Sequence, residues 1–301
     1  MRIAVTGSHG LIGEAVVRSL VADGHQPVRV VRSRPGPDDV RWDLDAGEID
    51  AAGLEGVDGV VHLAGEGIAS GRWTDDHKRQ VRESRTRGTA LLSEALASLD
   101  RPPSVLVSGS AIGYYGDRGD EELTESSPAG QGFLPELCTA WEAATGLAEA
   151  AGIRVAHIRT GIVLSPDGGA LGKQLLPFKL GLGGRAGRGD QWMPWISLDD
   201  EVGAIRFLLD NDVSGPVDLT APNPVTNAEF VKTLGQVLHR PTVLPIPRFT
   251  TRLPLGIGPL VQDLLFSSAR VLPATLTDAG YTFAHTTLEA ALRDLLDRPA
   301  D

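Results

Sequence analysis

Apolar runs and helix-like patterns alternate along the first half of the chain. Residues 3–6 form an apolar run closed by glycines, and residues 11–21 repeat apolar side chains at helical spacing up to Gly24. Because strands that alternate with helices build βαβ units, the pattern predicts a parallel sheet covered on both faces. The further predicted strands are 27–31, 57–63, 104–107 and 154–158, and the further predicted helices are 74–99 and 134–151.

The pattern changes after about Val163. Residues 165–189 are rich in glycine and basic side chains, which predicts a loop or lid, and residues 181–195 resemble a mobile flap. We predict an α/β fold: a Rossmann-type, doubly wound parallel sheet with a smaller C-terminal substrate-side subdomain. The predicted domains are 1–220, with a lid at 165–195, and 221–301. The elements predicted here are helices over 196–209, 227–238 and 288–296, a strand over 217–219 and a Pro-rich stretch over 242–260.

Composition and charge restrict the class of protein. The 301 residues carry a formal net charge of −11, which argues against a nucleic-acid partner because such partners select a basic face. Cys138 is the one cysteine, so an intrachain disulfide and a cysteine-based zinc site are both excluded, and we predict no metal. The sequence shows no signal peptide and no run of ~20 apolar residues. We expect a cytoplasmic protein without a membrane segment, with a homodimer as one option.

A glycine pattern between the first predicted strand and helix points to a bound nucleotide. Gly7, Gly10 and Gly13 follow G-x-x-G-x-x-G spacing. Gly7 suits a tight turn, Gly10 lets the backbone approach a pyrophosphate, and Gly13 lets the helix pack closely against the strand. The start of the helix adds unpaired N–H groups and the positive end of the helix dipole. The alternative is a glycine turn that holds no ligand.

Arg32, just past the second predicted strand, decides which cofactor we expect. An NAD site usually carries an Asp or Glu about 20 residues past the glycines, where it binds the ribose hydroxyls. Arg32 stands there instead, and a guanidinium can bind a 2′-phosphate and stack on adenine. We therefore expect NADP(H) rather than NAD(H). The alternative is a solvated surface arginine.

These residues, together with Leu63-Ala64-Gly65, resemble the short-chain dehydrogenase/reductase superfamily, and in particular its extended, epimerase/dehydratase-like branch. Later motifs resemble an atypical group of that branch, the epimerase family proteins, which carry a C-terminal domain of unknown function. The resemblance spans essentially the whole chain. The later motifs are Gly71-Arg72-Trp73-Thr74, Arg82-Glu83-Ser84-Arg85, Ser108-Gly109-Ser110-Ala111-Ile112-Gly113-Tyr114-Tyr115-Gly116, Arg159-Thr160-Gly161-Ile162-Val163-Leu164, Asn223-Pro224-Val225-Thr226-Asn227 and Ser268-Ala269-Arg270-Val271-Leu272-Pro273.

The resemblance implies a bound NADP(H) and a role for several positions. The implied contacts are Gly7, Gly10, Leu11, Ile12 and Gly13 for the pyrophosphate, Arg32 and Ser33 for the 2′-phosphate, Asp43 and Leu44 for adenine, Ala64, Gly65 and Glu66 beneath the cofactor, and Ile162 and Val163 beside the nicotinamide. Arg72, which follows the Ala-Gly-Glu turn, and Ser108, at the end of the fourth strand, complete the candidate cofactor site. For Asp43 the alternative is an ordinary loop carboxylate.

The pair that usually moves the proton in this superfamily is missing. Hydride transfer there relies on a serine and a Tyr-x-x-x-Lys pair, in which the lysine lies one helical turn from the tyrosine and lowers its pKa. On the helix predicted over 134–151 the matching positions are Leu137 and Trp141, and neither transfers a proton. We interpret Glu142 as a carboxylate on the helix surface. No lysine stands four positions after Tyr114, Tyr115 or Tyr281.

Ser110 remains as the counterpart of the family serine. It lies just past the fourth predicted strand, and ligands bind at that end of parallel strands. Tyr114 and Tyr115 follow it, and one of them is a candidate substitute acid. The alternative is that both pack as an aromatic wall. The candidate catalytic residues are therefore Ser110, Tyr114 and Tyr115.

Two further patterns bear on function. Six basic residues lie close together and can meet an anionic substrate or the cofactor phosphates, or can form a solvated helix face; they are Arg72, Lys78, Arg79, Arg82, Arg85 and Arg87. Related proteins often carry a histidine after the Trp-Ile pair, where Ser197 stands here. His9, His62 and His157 are interpreted as structural core or turn residues.

The sequence leaves two functions open. One is an NADP(H)-dependent oxidoreductase or epimerase-like enzyme that acts on an unknown small molecule, which the basic residues suggest is anionic. The other is an NADP(H)-binding protein with little or no turnover, such as a redox sensor or a regulatory protein. The missing Tyr/Lys pair favours the second, whereas the lid and the basic cluster favour the first.

Overall fold

A mostly parallel sheet lies at the centre of the molecule. The computed structural model describes residues 1–33, 35–68, 73–243 and 266–299. The strands run in the order β12-β8-β6-β5-β1-β2-β3-β4, and all neighbours are parallel except β3 and β4. The order reverses at β1, which confirms the predicted doubly wound sheet. These strands are β1 Arg2–Thr6, β2 Gln26–Val31, β3 Val40–Asp43, β4 Glu48–Ile49, β5 Gly59–His62, β6 Val105–Ala111, β8 Arg154–Thr160 and β12 Gly215–Leu219.

Helices cover both faces of this sheet, as the apolar strands predicted. Ile3 and Val5 pack with α1 and α7 on one face, and the residue between them, Ala4, packs with α3 and α5 on the other. The helices of the described residues are α1 Leu11–Ala22, α2 Ala51–Leu54, α3 Asp75–Ala97, α4 Phe133–Ala143, α5 Gly146–Ala150, α6 Gly169–Lys179, α7 Leu198–Asp210, α8 Asn227–Leu238, α9 Ala274–Asp278 and α10 Leu288–Leu295.

A second, smaller core lies beside the sheet domain. Trp195 and Phe230 are fully buried in it, among apolar residues of α6, α8 and α10. A short parallel strand pair and an antiparallel pair frame it, and one further pair ties the loop after β6 to the C-terminal segment. These strands are β9 Ile162–Ser165 with β11 Trp195–Ser197, β10 Trp192–Met193 with β13 Val225–Thr226, and β7 Glu122–Leu123 with β14 Arg270–Val271.

Two sequence predictions need correction, and two strands of the sheet had no prediction. The expected loop over 165–189 contains α6, because Leu171, Leu175 and Phe178 supply a buried face at helical spacing. The expected single helix over 134–151 is split at Thr145, whose hydroxyl donates to the Glu142 carbonyl and so satisfies the end of α4. Strands β3 and β4 were missed because they are short.

Among the described residues, no helix has the length and apolar character to cross a membrane.

Glu201 generates a prediction about stability. It lies in the first turn of α7, is fully buried, and accepts a 2.8 Å hydrogen bond from Thr160 at Oε1, while Oε2 has no partner. Burial raises the pKa of Glu201 to about 8. The folded carboxyl therefore keeps its proton at a pH where the unfolded one has lost it, and stability falls as the pH rises from the ordinary glutamate pKa of 4.5 to about 8.

We expect Glu201→Gln to reduce this pH dependence, because glutamine does not ionise. In urea unfolding, the wild type loses up to roughly 1.4 kcal/mol per pH unit across this window, and the variant loses less. Glu94→Gln, at an exposed glutamate of α3, is the control and keeps the wild-type slope. Equal slopes for the wild type and Glu201→Gln would contradict the assignment.

Candidate nucleotide-binding and catalytic site

The turn between β1 and α1 is built for close backbone approach. Gly7 has φ +65°, and a Cβ there would lie 2.7 Å from the Leu63 carbonyl carbon. A Cβ on Gly13 would lie 2.2 Å from the Gly7 oxygen. Gly10 is the N-cap of α1 and no side chain caps it. The first N–H groups of α1 are therefore left for an anion, and the turn fits a dinucleotide pyrophosphate.

Two neighbouring groups support this fit. Arg29 donates from Nη1 to the Ser8 carbonyl oxygen at 2.8 Å, which fixes the outer side of the turn. The Ser8 hydroxyl is 1% exposed and has no hydrogen-bond partner. A buried hydroxyl without a partner is costly, and a phosphate oxygen at this turn is a suitable acceptor for it.

A buried chain of hydrogen bonds holds the segment that follows β5. Thr6 Oγ1 accepts from the N–H groups of Leu63 and Ala64 at 3.1 Å each, so its own proton goes to His62 Nδ1 at 2.7 Å. His62 Nε2 then donates to Thr89 Oγ1 at 2.9 Å. Burial, followed by the charge of Arg85, lowers the pKa of His62 to about 4. His62 is therefore a neutral, satisfied core residue, as interpreted from the sequence.

Arg85 lies under the same segment and is part of the structure rather than of a solvated helix face. Its guanidinium donates to the Glu66 carbonyl at 2.8 Å and lies 5.0 Å from the Trp141 ring centre. A Cβ on Gly65 would meet Arg85 Cζ at 3.1 Å. Three further members of the basic cluster pair with exposed carboxylates: Lys78 with Asp75, Arg79 with Asp76 and Arg82 with Glu136. Lys78 and Arg82 also lie beside aromatic rings, and Arg87 donates to the Leu44 carbonyl.

The other cofactor candidates lie along the same carboxyl edge of the sheet or just past it. Arg32 and Ser33 are exposed at the end of β2, and Ile162 and Val163 are half-buried in β9. Ser108 is fully buried near the end of β6, and its hydroxyl has no partner. Arg72 lies outside the described residues.

Asp43, at the end of β3, has a local structural role. Its Oδ1 accepts from the N–H groups of Asp45 and Ala46 at 3.1 Å each, which is an ordinary turn arrangement. Leu44 follows it and faces α3, where a Cβ on Gly88 would lie 3.5 Å from Leu44. This is the geometry of the loop-carboxylate alternative, and a contact with adenine stays a prediction.

Ser110 lies in a trio with Glu142 and Arg159. The parallel register of β6 and β8 pairs Ser110 with Arg159. Ser110 Oγ donates to Glu142 Oε1 at 2.7 Å. Arg159 donates from Nε to Oε1 at 2.8 Å and from Nη2 to Oε2 at 2.9 Å, which is a two-pronged ion pair. Burial alone lowers the pKa of Arg159, but the hydrogen bonds and charge of Glu142 outweigh it and leave this pKa raised.

The turn of α4 that faces Ser110 carries Cys138 and Glu142, not the expected Leu137 and Trp141. Leu137 packs into a small apolar cluster, and Trp141 donates to Thr89. The interpretation of Glu142 as a surface carboxylate was therefore wrong. Sequence reasoning missed it because Arg159, which pairs with it, is 17 residues away on another element.

Burial, then the charge of Glu142, raises the pKa of Cys138 to about 12, so the thiol stays protonated.

The two tyrosines differ in their surroundings. Tyr115 is fully buried; its hydroxyl donates to Asp218 at 2.7 Å and accepts from Arg159 Nη1 at 3.0 Å. Burial and Asp218 raise its pKa, so Tyr115 packs as the wall alternative describes and is not placed to act as an acid. Tyr114 is half-buried, and its ring centre lies 3.4 Å from Arg159 Cζ. A stacked ring holds the guanidinium in plane.

His285, from the C-terminal segment, places its imidazole beside Ser197, the position where related proteins often carry a histidine. The Ser197 hydroxyl caps α7 by accepting from the Asp200 N–H, and it lies 3.0 Å from His285 Nδ1. His285 is 8% exposed, so this histidine is part of the packing between α7 and the segment before α10. Sequence spacing gave no signal for this contact.

A doubly wound parallel sheet with a glycine turn and a polar trio at its carboxyl edge defines a dinucleotide-binding protein of the short-chain dehydrogenase/reductase class. The family model described as the NAD dependent epimerase/dehydratase family matches residues 3–219, and a domain of unknown function, DUF1731, matches residues 246–295. The chain belongs to the NAD-dependent epimerase/dehydratase family.

Similar proteins cover the chain from end to end. Epimerase family protein Mb2239 of Mycobacterium bovis is 42% identical over 99% of this chain and 98% of its own. Human epimerase family protein SDR39U1 is 37% identical over 98% and 100%. A crystal structure of the human protein with NADPH is 36% identical, covers 99% of this chain and 100% of that one, and has a TM-score of 0.90. The resemblance stated from the motifs is confirmed.

We expect Gly13→Ala to abolish nucleotide binding, because the added Cβ overlaps the Gly7 oxygen and forces the turn open. NADPH fluorescence titration of the folded variant measures the loss, which we expect to exceed 100-fold in Kd. Gly146→Ala is the matched control, since a Cβ there meets nothing within 4 Å. NADPH binding by Gly13→Ala at wild-type affinity would rule out the turn as the pyrophosphate site.

Proposed function

We propose that this protein is an NADP(H)-dependent oxidoreductase or epimerase-like enzyme that acts on a small, anionic molecule. The observation that carries the proposal is the position of the Ser110–Glu142–Arg159 trio at the same sheet edge as the glycine turn. In parallel α/β sheets the ligand site lies at this edge. When bound, the cofactor accepts or supplies hydride.

The preference for NADP(H) rests on Arg32. Its side chain is exposed just past β2, where an NAD-preferring site carries an acidic residue. The related human protein has been crystallised with NADPH. Ser8, Arg29 and the start of α1 fit the phosphates, and Arg32 with Ser33 fits the additional 2′-phosphate.

The anionic substrate class rests on cations near the start of α3. Lys78 Nζ lies 5.9 Å from the ring centres of Trp73 and Phe133, and Arg82 Cζ lies 5.5 Å from that of Phe133. Each cation has an exposed carboxylate partner, Asp75 for Lys78 at 3.9 Å and Glu136 for Arg82 at 3.5 Å, and a negatively charged substrate group would replace these partners. The cytoplasmic location and the homodimer stay predictions.

The second candidate is an NADP(H)-binding sensor or regulatory protein with little turnover. The observation that favours it is the missing Tyr-x-x-x-Lys pair, since Cys138 and Glu142 face Ser110 instead. A substrate-dependent change in nicotinamide absorbance that Ser110→Ala removes supports the enzyme, and its absence over a broad panel supports the sensor.

We expect the protein to bind NADPH at least 10-fold more tightly than NADH. We expect Arg32→Ala to weaken NADPH binding by about 10- to 100-fold, because the lost charge-assisted hydrogen bonds are worth about 1.5–3 kcal/mol. The same variant should change NADH binding little. Fluorescence titration measures all four values. Arg18→Ala removes an exposed arginine of α1 as the control. Equal affinity for the two cofactors, unchanged by Arg32→Ala, would overturn the cofactor assignment.

A further inference from the structure

We infer that Glu142, acting through Ser110, receives the substrate proton in place of the missing Tyr/Lys pair, and that the substrate group at Ser110 is a hydroxyl. The inference rests on the proposed function, because it assigns the proton path and the substrate class of that same site. Four observations lead to it: the direction of the Ser110 hydrogen bond, the fixing of Glu142, the state of the neighbouring groups and the charge balance.

The single hydroxyl proton of Ser110 is already used. An ionised carboxylate can only accept, so the 2.7 Å contact with Glu142 Oε1 takes the Ser110 proton. Ser110 is 5% exposed, and its Oγ is left with lone pairs. A serine that polarises a substrate carbonyl must donate its hydroxyl proton to the carbonyl oxygen. Ser110 instead donates to Glu142, so its oxygen can only accept a hydrogen bond from another group. The protonated Cys138 thiol is one neighbour that can donate to Ser110 Oγ, and the second lone pair is left for another donor, such as a substrate O–H.

Glu142 is held in place for this role. Both carboxylate oxygens are bound by Arg159, which is 3% exposed. The third nitrogen of the guanidinium, Nη1, donates to Tyr115, and its face lies on the Tyr114 ring. The carboxylate thus has one orientation, with Oε1 toward Ser110. A base whose position is fixed before the reaction needs no reorganisation when the proton arrives.

The other titratable groups at Ser110 do not offer a base. The Cys138 thiol is 3% exposed and protonated, since burial and the charge of Glu142 raise its pKa to about 12. The Tyr115 hydroxyl donates to Asp218 and receives from Arg159. Tyr114 is stacked on Arg159. Among the described residues, Glu142 is the carboxylate whose oxygen contacts Ser110.

The step balances as the oxidation of a secondary alcohol. The substrate C–H bond breaks, and the hydride passes with both electrons to the oxidised nicotinamide cofactor, which is reduced. The O–H bond breaks as the carbonyl forms; its proton moves to Ser110 Oγ, while the proton of Ser110 moves to Glu142 Oε1. The carbon is oxidised by two electrons, Arg159 keeps its charge, and Glu142 becomes neutral. The reverse path returns the proton, as an epimerase needs.

The kinetic test uses the full-length protein with NADP⁺ and a panel of anionic secondary alcohols: UDP-glucose, glycerol 3-phosphate and malate. We expect Glu142→Gln to lower kcat by about 10²–10⁴-fold with little change in KM or in NADPH affinity. Ser110→Ala combined with Glu142→Gln should lose no more than Ser110→Ala alone, because the two residues act in one path. Glu94→Gln, at an exposed glutamate of α3 away from the trio, is the control.

The outcomes separate this inference from the proposed function. Wild-type turnover that survives in a folded Glu142→Gln variant overturns the proton path, and so does additive loss in the double variant. If the wild type oxidises no alcohol of the panel, the proposed enzyme function is what fails. Thermal melting shows whether each variant is folded, and Glu142→Asp, which keeps the charge for Arg159, replaces Glu142→Gln if that variant does not fold.

A second measurement decides the inference without turnover. Neutron diffraction of the cofactor-free protein in D₂O locates the deuterium of Ser110. Density between Ser110 Oγ and Glu142 Oε1 supports Ser110 as an acceptor for a substrate hydroxyl. A deuterium that points away from Glu142, or that sits on the carboxylate, overturns it, because Ser110 is then free to donate to a carbonyl.

Discussion

The parallel register of β6 with β8 is the constraint on which the site depends. It pairs Ser110 with Arg159, so a serine and a guanidinium from strands 49 positions apart lie side by side at the carboxyl edge. The carboxylate of Glu142 then joins them from α4. Buried ion pairs add little net stability, since desolvation offsets their attraction. Stability therefore gives no reason to place this pair at the sheet edge, and its position there is consistent with the proposed role in proton transfer.

The same edge explains why the candidate cofactor residues and the candidate catalytic residues lie near one another. Successive strands end beside one another, so the glycine turn after β1, Arg32 after β2 and the segment after β5 follow as neighbours. The Thr6–His62–Thr89 chain ties these ends to α3, and both ring nitrogens of His62 have hydrogen-bond partners in it. A satisfied buried network of this kind specifies one arrangement, because any displacement leaves a polar group unpaired.

Local patterns made part of this predictable. The glycine turn and the alternation of strands with helices depend on residues close together in the sequence, and these predictions describe the fold well, whereas the role of Arg32 stays a prediction. The role of Glu142 depends on a distant strand, so its helix position alone suggested solvent. The α6 helix was obscured by glycines, and the buried state of Tyr115 follows from Asp218, 103 residues away. Helix and strand propensities carry no information about side-chain partners that are distant in the sequence.

The central claim is that the glycine turn and the Ser110–Glu142–Arg159 trio are two ends of one site. A crystal structure of the full chain grown with NADPH tests it most directly. The account predicts the pyrophosphate at the start of α1, the 2′-phosphate at Arg32, and the nicotinamide ring directed toward Ser110. A nicotinamide directed away from Ser110, or a glycine turn that stays empty at saturating NADPH, would contradict it.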